Sequence, residues 1–367
     1  MLLALARSLP SLGCGSVIAV FETPGAPRSE LQKRAAQCGV QVETVPCAAR
    51  FDRRAITRIR ELVETHRIDV LHTHGYKADV FGYAAARPNR FALVATCHNW
   101  PSRLLSMRAY AALDRITLRR FDRVATASEP VARILRRWQV PARKLKVIPN
   151  GVDMRPFVDR QPSLRRGWCA PGDRLIGFVG RHVTDKGGAL LLEAAPAVLA
   201  GFPNARFVFV GEGPSRAAWE AQAAQLGIAS RVTFLGARTD MPAVYASLDM
   251  VVLPSFQECM PMCLLEALAA ARPVIATGVG AVPRLVIPGV TGLLFEPGDV
   301  RALSAAMQRL LREPDLANIL GEHGRAHVAR HFSSGVIAAS YVELYREVLQ
   351  ERRYELRSPA ALQETRS

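Results

Sequence analysis

The chain has 367 residues, 49% of them hydrophobic and 22% charged, and a formal net charge of +16. That length supports two domains of ordinary size, each with its own core, and the composition excludes a disordered, collagen-like or disulfide-stapled protein. The seven cysteines are odd in number and include no Cys-x-x-Cys pair, so they supply neither a disulfide framework nor zinc-ligand spacing, and they fit a reducing, cytoplasmic setting.

Met1 to Leu12 reads as a surface helix whose apolar residues face a core. Its apolar run is cut by Arg7 and no charged segment precedes it, so a secretory leader is not expected. No stretch approaches the roughly 20 apolar residues of a membrane-spanning helix. Strands are then predicted at Val17–Phe21, Val40–Val45, Val70–His72, Leu93–Thr96, Arg123–Ala127 and Lys146–Pro149. Helical patterns at Ser29–Cys38, Arg53–His66 and Glu129–Trp138 separate them. The turn dipeptide Asn150-Gly151 closes this series, and a polar stretch follows near Arg155–Pro171. The rhythm restarts at Leu175–Val179, Arg206–Val210, Val232–Leu235, Met250–Leu253, Pro273–Ala276 and Gly292–Phe295. Strands alternating with helices imply crossover connections and parallel sheets covered by helices, so the expected class is α/β with two Rossmann-like domains. The expected boundaries are 1–155, 156–335, a helix over 336–350 that returns to the first domain, and a frayed charged tail over 351–367.

In such sheets ligands bind at the carboxyl ends of strands, so the loops there carry the information. Gly180-Arg181-His182-Val183-Thr184-Asp185-Lys186-Gly187-Gly188 follows the strand Leu175–Val179 and opens the helical run Ala189–Leu199. A glycine lets the backbone approach a ligand, a helix start favours an anion, and Arg181 and Lys186 add two cations. The loop sketches a diphosphate site without being a Walker loop; the competing reading is a tight turn with solvated charges. After Met250–Leu253 comes Pro254-Ser255-Phe256-Gln257-Glu258-Cys259-Met260-Pro261-Met262-Cys263-Leu264-Leu265-Glu266. Pro261 suits the first helical turn, where Met262 and Cys263 would offer backbone N–H groups to a phosphate. Glu258 before the helix can bind sugar hydroxyls and Glu266 within it can chelate a ribose diol. The competing reading makes Glu258 a cap and leaves Glu266 in solvent.

From Gly180 to Asp299 the sequence resembles the donor domain of the retaining glycosyltransferases of family 4, which have the GT-B fold. The matching pieces in order are Gly180-Arg181 with Lys186-Gly187, Phe209-Val210-Gly211-Glu212-Gly213-Pro214, Phe234-Leu235-Gly236, the pair Glu258 and Glu266, Pro273-Val274-Ile275-Ala276-Thr277, and Gly289-Val290-Thr291-Gly292. Asn150-Gly151-Val152-Asp153 and a late helix over Tyr341–Tyr345 extend the resemblance over nearly the whole chain. It implies that the two domains face each other across a cleft. It implies further that Arg181 and Lys186 neutralise the departing diphosphate, that Glu258 holds the transferred sugar, and that Glu266 holds the ribose. Gly180, Met260, Met262 and Cys263 complete the donor-binding set, and His98, in Thr96-Cys97-His98-Asn99, matches a histidine beside the donor sugar. The donor would be a nucleotide-diphosphate sugar and no cofactor is implied. No Asp-x-Asp motif is present, so no metal is expected.

The acceptor, a sugar or lipid-linked hydroxyl, is expected against the first domain around His72-Thr73-His74-Gly75-Tyr76 and beyond His98. The segment Pro101–Arg120 carries Arg103, Arg108, Arg115, Arg119 and Arg120 among apolar residues, which suits either an anionic membrane surface or a helix packed on its own domain. Assembly of bacterial surface polysaccharide or lipopolysaccharide is expected by analogy, on the inner face of the plasma membrane. Nucleic acid is not expected, because no recognition motif accompanies the charge. Three departures stand out. Ala271-Arg272 replaces a glycine before Pro273, Cys259 stands where small residues flank the first glutamate, and Gly280-Ala281-Val282-Pro283-Arg284 lacks a carboxylate common in the family. Relatives also open on a strand and a glycine-rich loop, and this sequence begins at the helix after them, so the first domain is expected to lack its first strand. The rival functions are a non-hydrolysing sugar-nucleotide epimerase of the same fold and a catalytically inactive partner protein.

Overall fold

The computed structural model describes residues 1–23, 25, 27–49, 51–86, 91–98, 113–158, 165 and 169–357. They form two units, Met1–Gly151 with Ser334–Ser367, and Val152–Ser333. In the first, α1 (Leu2–Ser8) precedes β1 (Ile18–Glu22), α2 (Glu30–Gln37), β2 (Val42–Pro46), α3 (Arg53–Thr65), β3 (Val70–His74) and α4 (Tyr76–Ala85). Then come β4 (Ala92–Cys97), a helical stretch over 113–118 (α5), β5 (Arg123–Thr126), α6 (Glu129–Arg137) and β6 (Leu145–Val147). Local chemistry sets several starts. Ser29 and Gln32 form a reciprocal capping box on α2, and the Asp52 side chain accepts from the Arg54 N–H to open α3.

The second unit runs β7 (Arg174–Val179), α7 (Gly188–Gly201), β8 (Ala205–Val210), α8 (Arg216–Gln225), β9 (Val232–Gly236), α9 (Met241–Ser247), β10 (Met250–Leu253) and α10 (Met262–Ala269). It continues with β11 (Val274–Thr277), α11 (Val282–Leu285), β12 (Leu293–Phe295), α12 (Val300–Arg312) and α13 (Pro314–His331). The last helix, α14 (Ser334–Arg357), belongs to the first unit.

Every described strand pair is parallel. The first unit holds a β1-β2 pair and a four-stranded sheet in the order β3-β4-β5-β6. The second holds one six-stranded sheet in the order β12-β11-β10-β7-β8-β9. Read from its other edge, that order is 3-2-1-4-5-6 within the unit, and the direction of winding reverses between β7 and β10. A crevice at the carboxyl ends of those two strands is where a doubly wound sheet binds its ligand.

Both sheets are cored as parallel sheets require, with near-continuous apolar strands. All six residues of β4 and all four of β10 and β11 are buried. In the first unit Leu5 and Leu9 join Ile337, Ala338, Tyr341, Val342, Leu344 and Val348 of α14 over Ala92, Val94 and Ala125. The helix at Met1 to Leu12 thus turns its apolar residues to a core. In the second unit Phe178, Phe207, Phe209, Leu191, Leu192 and Trp219 anchor a larger cluster.

The expectation that the last helix stops at residue 350 and that 351–367 fray is corrected. Helix α14 continues to Arg357, because the charges taken for a solvated tail are paired: Glu351 with Arg123, and Arg352 with Asp122 at 2.9 Å. Residues 358–367 lie outside the described residues. Among the described residues no helix is long and apolar enough to cross a membrane.

Candidate active site

The loops after β7 and β10 leave the sheet side by side at its reversal point. The β7 loop forms a short 3-10 turn over Thr184–Lys186 and then places Gly187 in the left-handed region, φ +71°, as the cap of α7. A side chain at 187 has no room, since a Cβ there would lie 1.9 Å from the Pro254 carbonyl oxygen. The Phe256 N–H donates to the Asp185 carbonyl at 2.9 Å. These close backbone contacts hold the two loops together and fix where their side chains meet.

What meets is the predicted cation and the predicted acid. Lys186 Nζ lies 2.5 Å from Glu258 Oε1, with the Glu258 side chain only 5% exposed. Ser255 Oγ donates to the same carboxylate oxygen at 2.8 Å, and Thr277 Oγ1 at the end of β11 donates to the Ser255 carbonyl at 2.5 Å. Glu258 is therefore not a helix cap but a carboxylate held by a cation and a hydroxyl. The glutamate's backbone is clasped from the next loop: the Ala281 N–H donates to the Cys259 carbonyl at 3.1 Å, and Gly280 packs its α-carbon against the Glu258 carbonyl.

Pro261 sits at the N-cap of α10 rather than inside its first turn, with φ −74° and ψ 119°. Met262 and Cys263 become the first two helical residues, whose N–H groups have no acceptor within the helix. Met260 is buried just before them. The half-buried Cys263 thiol has its pKa pushed up to about 12, first by burial and then by the neighbouring Glu258 charge. Such a thiol stays protonated and is no nucleophile at neutral pH. Glu266 lies one turn further on and accepts from the Tyr245 hydroxyl at 3.0 Å, so it is not a solvated side chain. Gly180 donates to the Val210 carbonyl at the end of β8, and Arg181 after it is exposed. The helix dipole, two cations and two carboxylates thus follow the carboxyl ends of the two central strands, β7 and β10, of one sheet.

Two supporting residues escaped the sequence reading. Ser255 and Tyr245 orient the two glutamates, and only tertiary placement reveals it, since Tyr245 lies 21 positions from Glu266.

In the first unit, His98 follows β4, with its Nε2 2.9 Å from His74 Nδ1 at the end of β3. The two rings are stacked, 5.2 Å apart and 16° from coplanar. Burial depresses the His98 pKa below 6.5 and the positive amino terminus adds to this, while the neighbouring Asn150 side chain works against both. His72 is turned the other way: its ring nitrogens meet Tyr345 Oη and Thr96 Oγ1, each at 2.7 Å, and Thr96 meets Tyr341 Oη at 3.0 Å. Both nitrogens of His72 are thereby engaged by protein, and burial presses its pKa down to about 3. Thr73, pointing to the opposite face, donates to the buried Asp79, whose carboxyl is pushed well above its usual range, first by burial and then by the nearby Asp114 carboxyl. Of the basic segment, Arg103 and Arg108 lie outside the described residues. Arg115 stacks over Trp138 at 4.2 Å, and Arg119 donates to the Trp138 carbonyl at 2.7 Å, as in a helix packed on its own domain.

Comparison with known proteins bears on both units. Residues 1–155 match the model for Glycosyltransferase Family 4, and residues 173–313 match the model for Glycosyl transferases group 1. The 2-deoxystreptamine glucosyltransferase of Streptomyces kanamyceticus is 32% identical over 252 residues, which is 66% of this chain and 65% of that protein, just under two thirds of its length. The N-acetyl-alpha-D-glucosaminyl L-malate synthase of Bacillus anthracis is 25% identical over 307 residues, 82% of this chain and 80% of that one. Among solved structures, Anabaena HepE in complex with UDP-glucose superposes with a TM-score of 0.79 at 22% identity, covering 94% of each chain. Sucrose-phosphate synthase from Thermosynechococcus elongatus superposes with a TM-score of 0.77 at 23% identity, covering 95% of this chain and 92% of that one. At such identities these two establish a shared fold.

Proposed function

The chain belongs to glycosyltransferase family 4, with the GT-B fold of two Rossmann-like domains, and from that membership we propose a retaining, metal-independent transferase. It moves a sugar from a nucleotide-diphosphate sugar to the hydroxyl of a sugar or lipid-linked acceptor, in the assembly of cell-surface polysaccharide or lipopolysaccharide. The observation that carries the reading is the meeting of Lys186 and Glu258, from two loops, at the reversal point of the six-stranded sheet. A cation for a diphosphate and a carboxylate for sugar hydroxyls lie one bond apart.

The chemistry follows from charge. Breaking the glycosidic bond puts negative charge on the departing diphosphate and positive charge on the sugar ring. Fixed cations, Lys186 and Arg181, together with the N–H groups of Met262 and Cys263, interact more strongly with that separated state than with the intact donor, and this difference lowers the barrier. Their charge supplies what a divalent ion would, and the absence of an Asp-x-Asp pair from the sequence supports metal independence. Glu258 accepts hydroxyls of the sugar, Glu266 accepts those of the ribose with Tyr245 holding it in place, and the family resemblance assigns His98 to the transferred sugar. The family resemblance implies that the acceptor hydroxyl attacks on the face the diphosphate leaves and that the leaving phosphate takes its proton. No cofactor is involved.

The test is a panel of UDP-, GDP- and ADP-sugars followed by proton NMR of the anomeric signal, with and without chelator. Lys186→Ala is expected to lower kcat by about 10²- to 10³-fold while the donor dissociation constant moves far less. Near-normal turnover would remove Lys186 from the mechanism. Inversion at the anomeric carbon, or loss of activity on chelation, would refute the corresponding half of the proposal. A new epimer formed without acceptor would favour the epimerase, and donor binding with no turnover the inactive partner. The net charge of +16 further supports an anionic membrane surface as a third partner, on the cytoplasmic side. Failure to sediment with anionic vesicles at low salt would eliminate that partner.

A further inference from the structure

The ammonium for the diphosphate and the carboxylate for the sugar are bonded to each other. Lys186 Nζ and Ser255 Oγ both reach Glu258 Oε1, at 2.5 Å and 2.8 Å. The two ends of the ion pair are held very differently. The Glu258 side chain is 5% exposed, and its oxygen is tethered by the buried Ser255, whose own carbonyl accepts from Thr277. The Glu258 backbone is clasped as well, by Gly280 against its carbonyl and by Ala281 at Cys259. The Lys186 side chain is 20% exposed and pairs with no other acid among the described residues. A four-carbon stem turns easily about its own bonds, whereas a carboxylate tethered at this depth keeps its place. An anion that comes to Lys186 therefore competes with a fixed carboxylate for one mobile ammonium.

If the anion wins, Glu258 is left as a buried charge with a single hydroxyl donor. Removing one partner from a buried ion pair is costly, because the charge that stays behind is desolvated without compensation. An intact nucleotide sugar offsets that cost with its own hydroxyls, which donate to the carboxylate as the diphosphate draws Lys186 away. A diphosphate without its sugar brings no such donor. We infer that Glu258 is a specificity-determining residue that favours the intact donor over the bare diphosphate, by reclaiming Lys186 whenever no sugar hydroxyl takes the lysine's place. The inference rests on the glycosyltransferase reading, in which Lys186 faces the diphosphate and Glu258 the sugar. It gives the carboxylate a second task, the expulsion of the nucleotide product once the sugar has been transferred. It also gives a reason for the donor dissociation constant to move little in Lys186→Ala: the ion pair gained at the phosphate replaces the one broken at Glu258.

Titration calorimetry of the full chain with inorganic pyrophosphate, at neutral pH and fixed ionic strength, reads the competition whatever the base. Glu258→Gln keeps the shape and an acceptor for Ser255 but gives up the charge. It is expected to bind pyrophosphate about 10-fold more tightly than wild type. Adding Lys186→Ala to that variant is expected to abolish the gain. Asp185→Asn removes a neighbouring, exposed charge and is expected to change the affinity by less than about 2-fold. With a nucleotide sugar that is turned over, the preference for donor over its nucleoside diphosphate is expected to fall by about 10-fold or more in Glu258→Gln. Glu258→Ala replaces the glutamine variant if that variant does not fold. Pyrophosphate binding no tighter in Glu258→Gln than in wild type would overturn the inference, as would a gain that survives Lys186→Ala or is matched by Asp185→Asn. Turnover of a nucleotide sugar alongside any of those results would leave the functional reading standing and sink the inference alone. A wild type inert toward UDP-, GDP- and ADP-sugars would strike the functional reading, while the pyrophosphate titrations decide the competition for Lys186 independently.

Discussion

The two units share an alternating plan yet secure their functional side chains by different means. In the second, one uninterrupted six-stranded sheet packs on a cluster of phenylalanine, leucine and tryptophan, and its site loops are fixed by backbone pressed on backbone. In the first, the strands divide into a pair and a sheet of four, and the interior beside the functional loops is filled with polar groups: Thr73, Asp79, Thr96, Asp114, Thr117, Thr126 and Ser128. There His98 meets the imidazole of His74, and β3 is tied on its reverse side to the buried carboxyl of Asp79. Steric fixing is indifferent to pH and intolerant of a methyl group. Fixing by titratable networks is the opposite. Under the proposed function, the second unit's loops would hold a charge in place as a diphosphate departs, and rigid backbone suits that task.

The comparison breaks most severely at Gly280. Its φ is +61°, and a Cβ would lie 1.8 Å from the Glu258 carbonyl oxygen, a distance no relaxation of a side chain relieves. Gly280→Ala is expected to cost about 3 kcal/mol or more in chemical denaturation, from overlap added to left-handed strain, and to abolish donor binding. Gly298→Ala is the control. It shares the positive φ, +88°, but nothing lies within 4 Å of its Cβ, so strain alone, about 1 kcal/mol, is expected, with binding kept. Equal costs at the two positions would mean that close approach is not what fixes the Glu258 loop.

The second way to separate the units is pH. Burial holds His72, His74 and His98 below the ordinary imidazole value of 6.5, so their contribution to stability is complete above 6.5 and declines as pH falls toward the folded values. Burial and mutual repulsion hold Asp79 well above 3.8 and burial lifts Asp114 to about 6. For that pair the sign is reversed: stability is complete below 3.8 and declines as pH rises through the folded values. The first unit is therefore pinched from both sides. Hydrogen exchange of the full chain, followed by mass spectrometry between pH 5 and 8, is expected to show peptides over β3 and β4 opening at either extreme. Peptides over β8, β10 and β11 should change far less. A uniform response across all five strands would erase the distinction.

This difference also explains what the sequence could and could not reveal. The six strands of each series, predicted from short β-rich runs, all appear within a few residues; the pattern is plainest at β4, β10 and β11, which are buried throughout. Glu258 and Glu266 were legible because their spacing and the helix start are local. That Lys186 touches Glu258, 72 positions away, was not local; it depends on the strand order that puts β7 beside β10. Likewise the histidines at 72 and 74 were expected near an acceptor, but both lie in β3, and alternation along that strand does not say that 72 is spent on Tyr345. Nor did the charges of Glu351 and Arg352 announce their partners 228 and 230 residues earlier, and a helix was cut short for that reason.

The smallest expected effect concerns the one place where the second unit behaves like the first. His182 is fully buried in the loop that carries Lys186, among the rings of Phe178, Phe209, Trp219 and Phe234, and neither ring nitrogen meets a hydrogen-bond partner among the described residues. Its backbone is well placed, donating to Glu212 and accepting from Ser215 at 2.9 Å, so the loop does not need the ring. A buried polar group without a partner costs about 1–3 kcal/mol. His182→Leu is therefore expected to stabilise the protein by about 1 kcal/mol, raising the midpoint of thermal unfolding by roughly 2–4 °C for a unit of this size. Burial lowers the proton affinity of His182, so the wild type loses stability as pH falls below 6.5 and the gain from leucine should grow there. A lower midpoint in the leucine variant would mean that the ring nitrogens find a partner in solution, a buried water being the simplest. The second unit would then share the polar means of the first at the loop that bears Lys186.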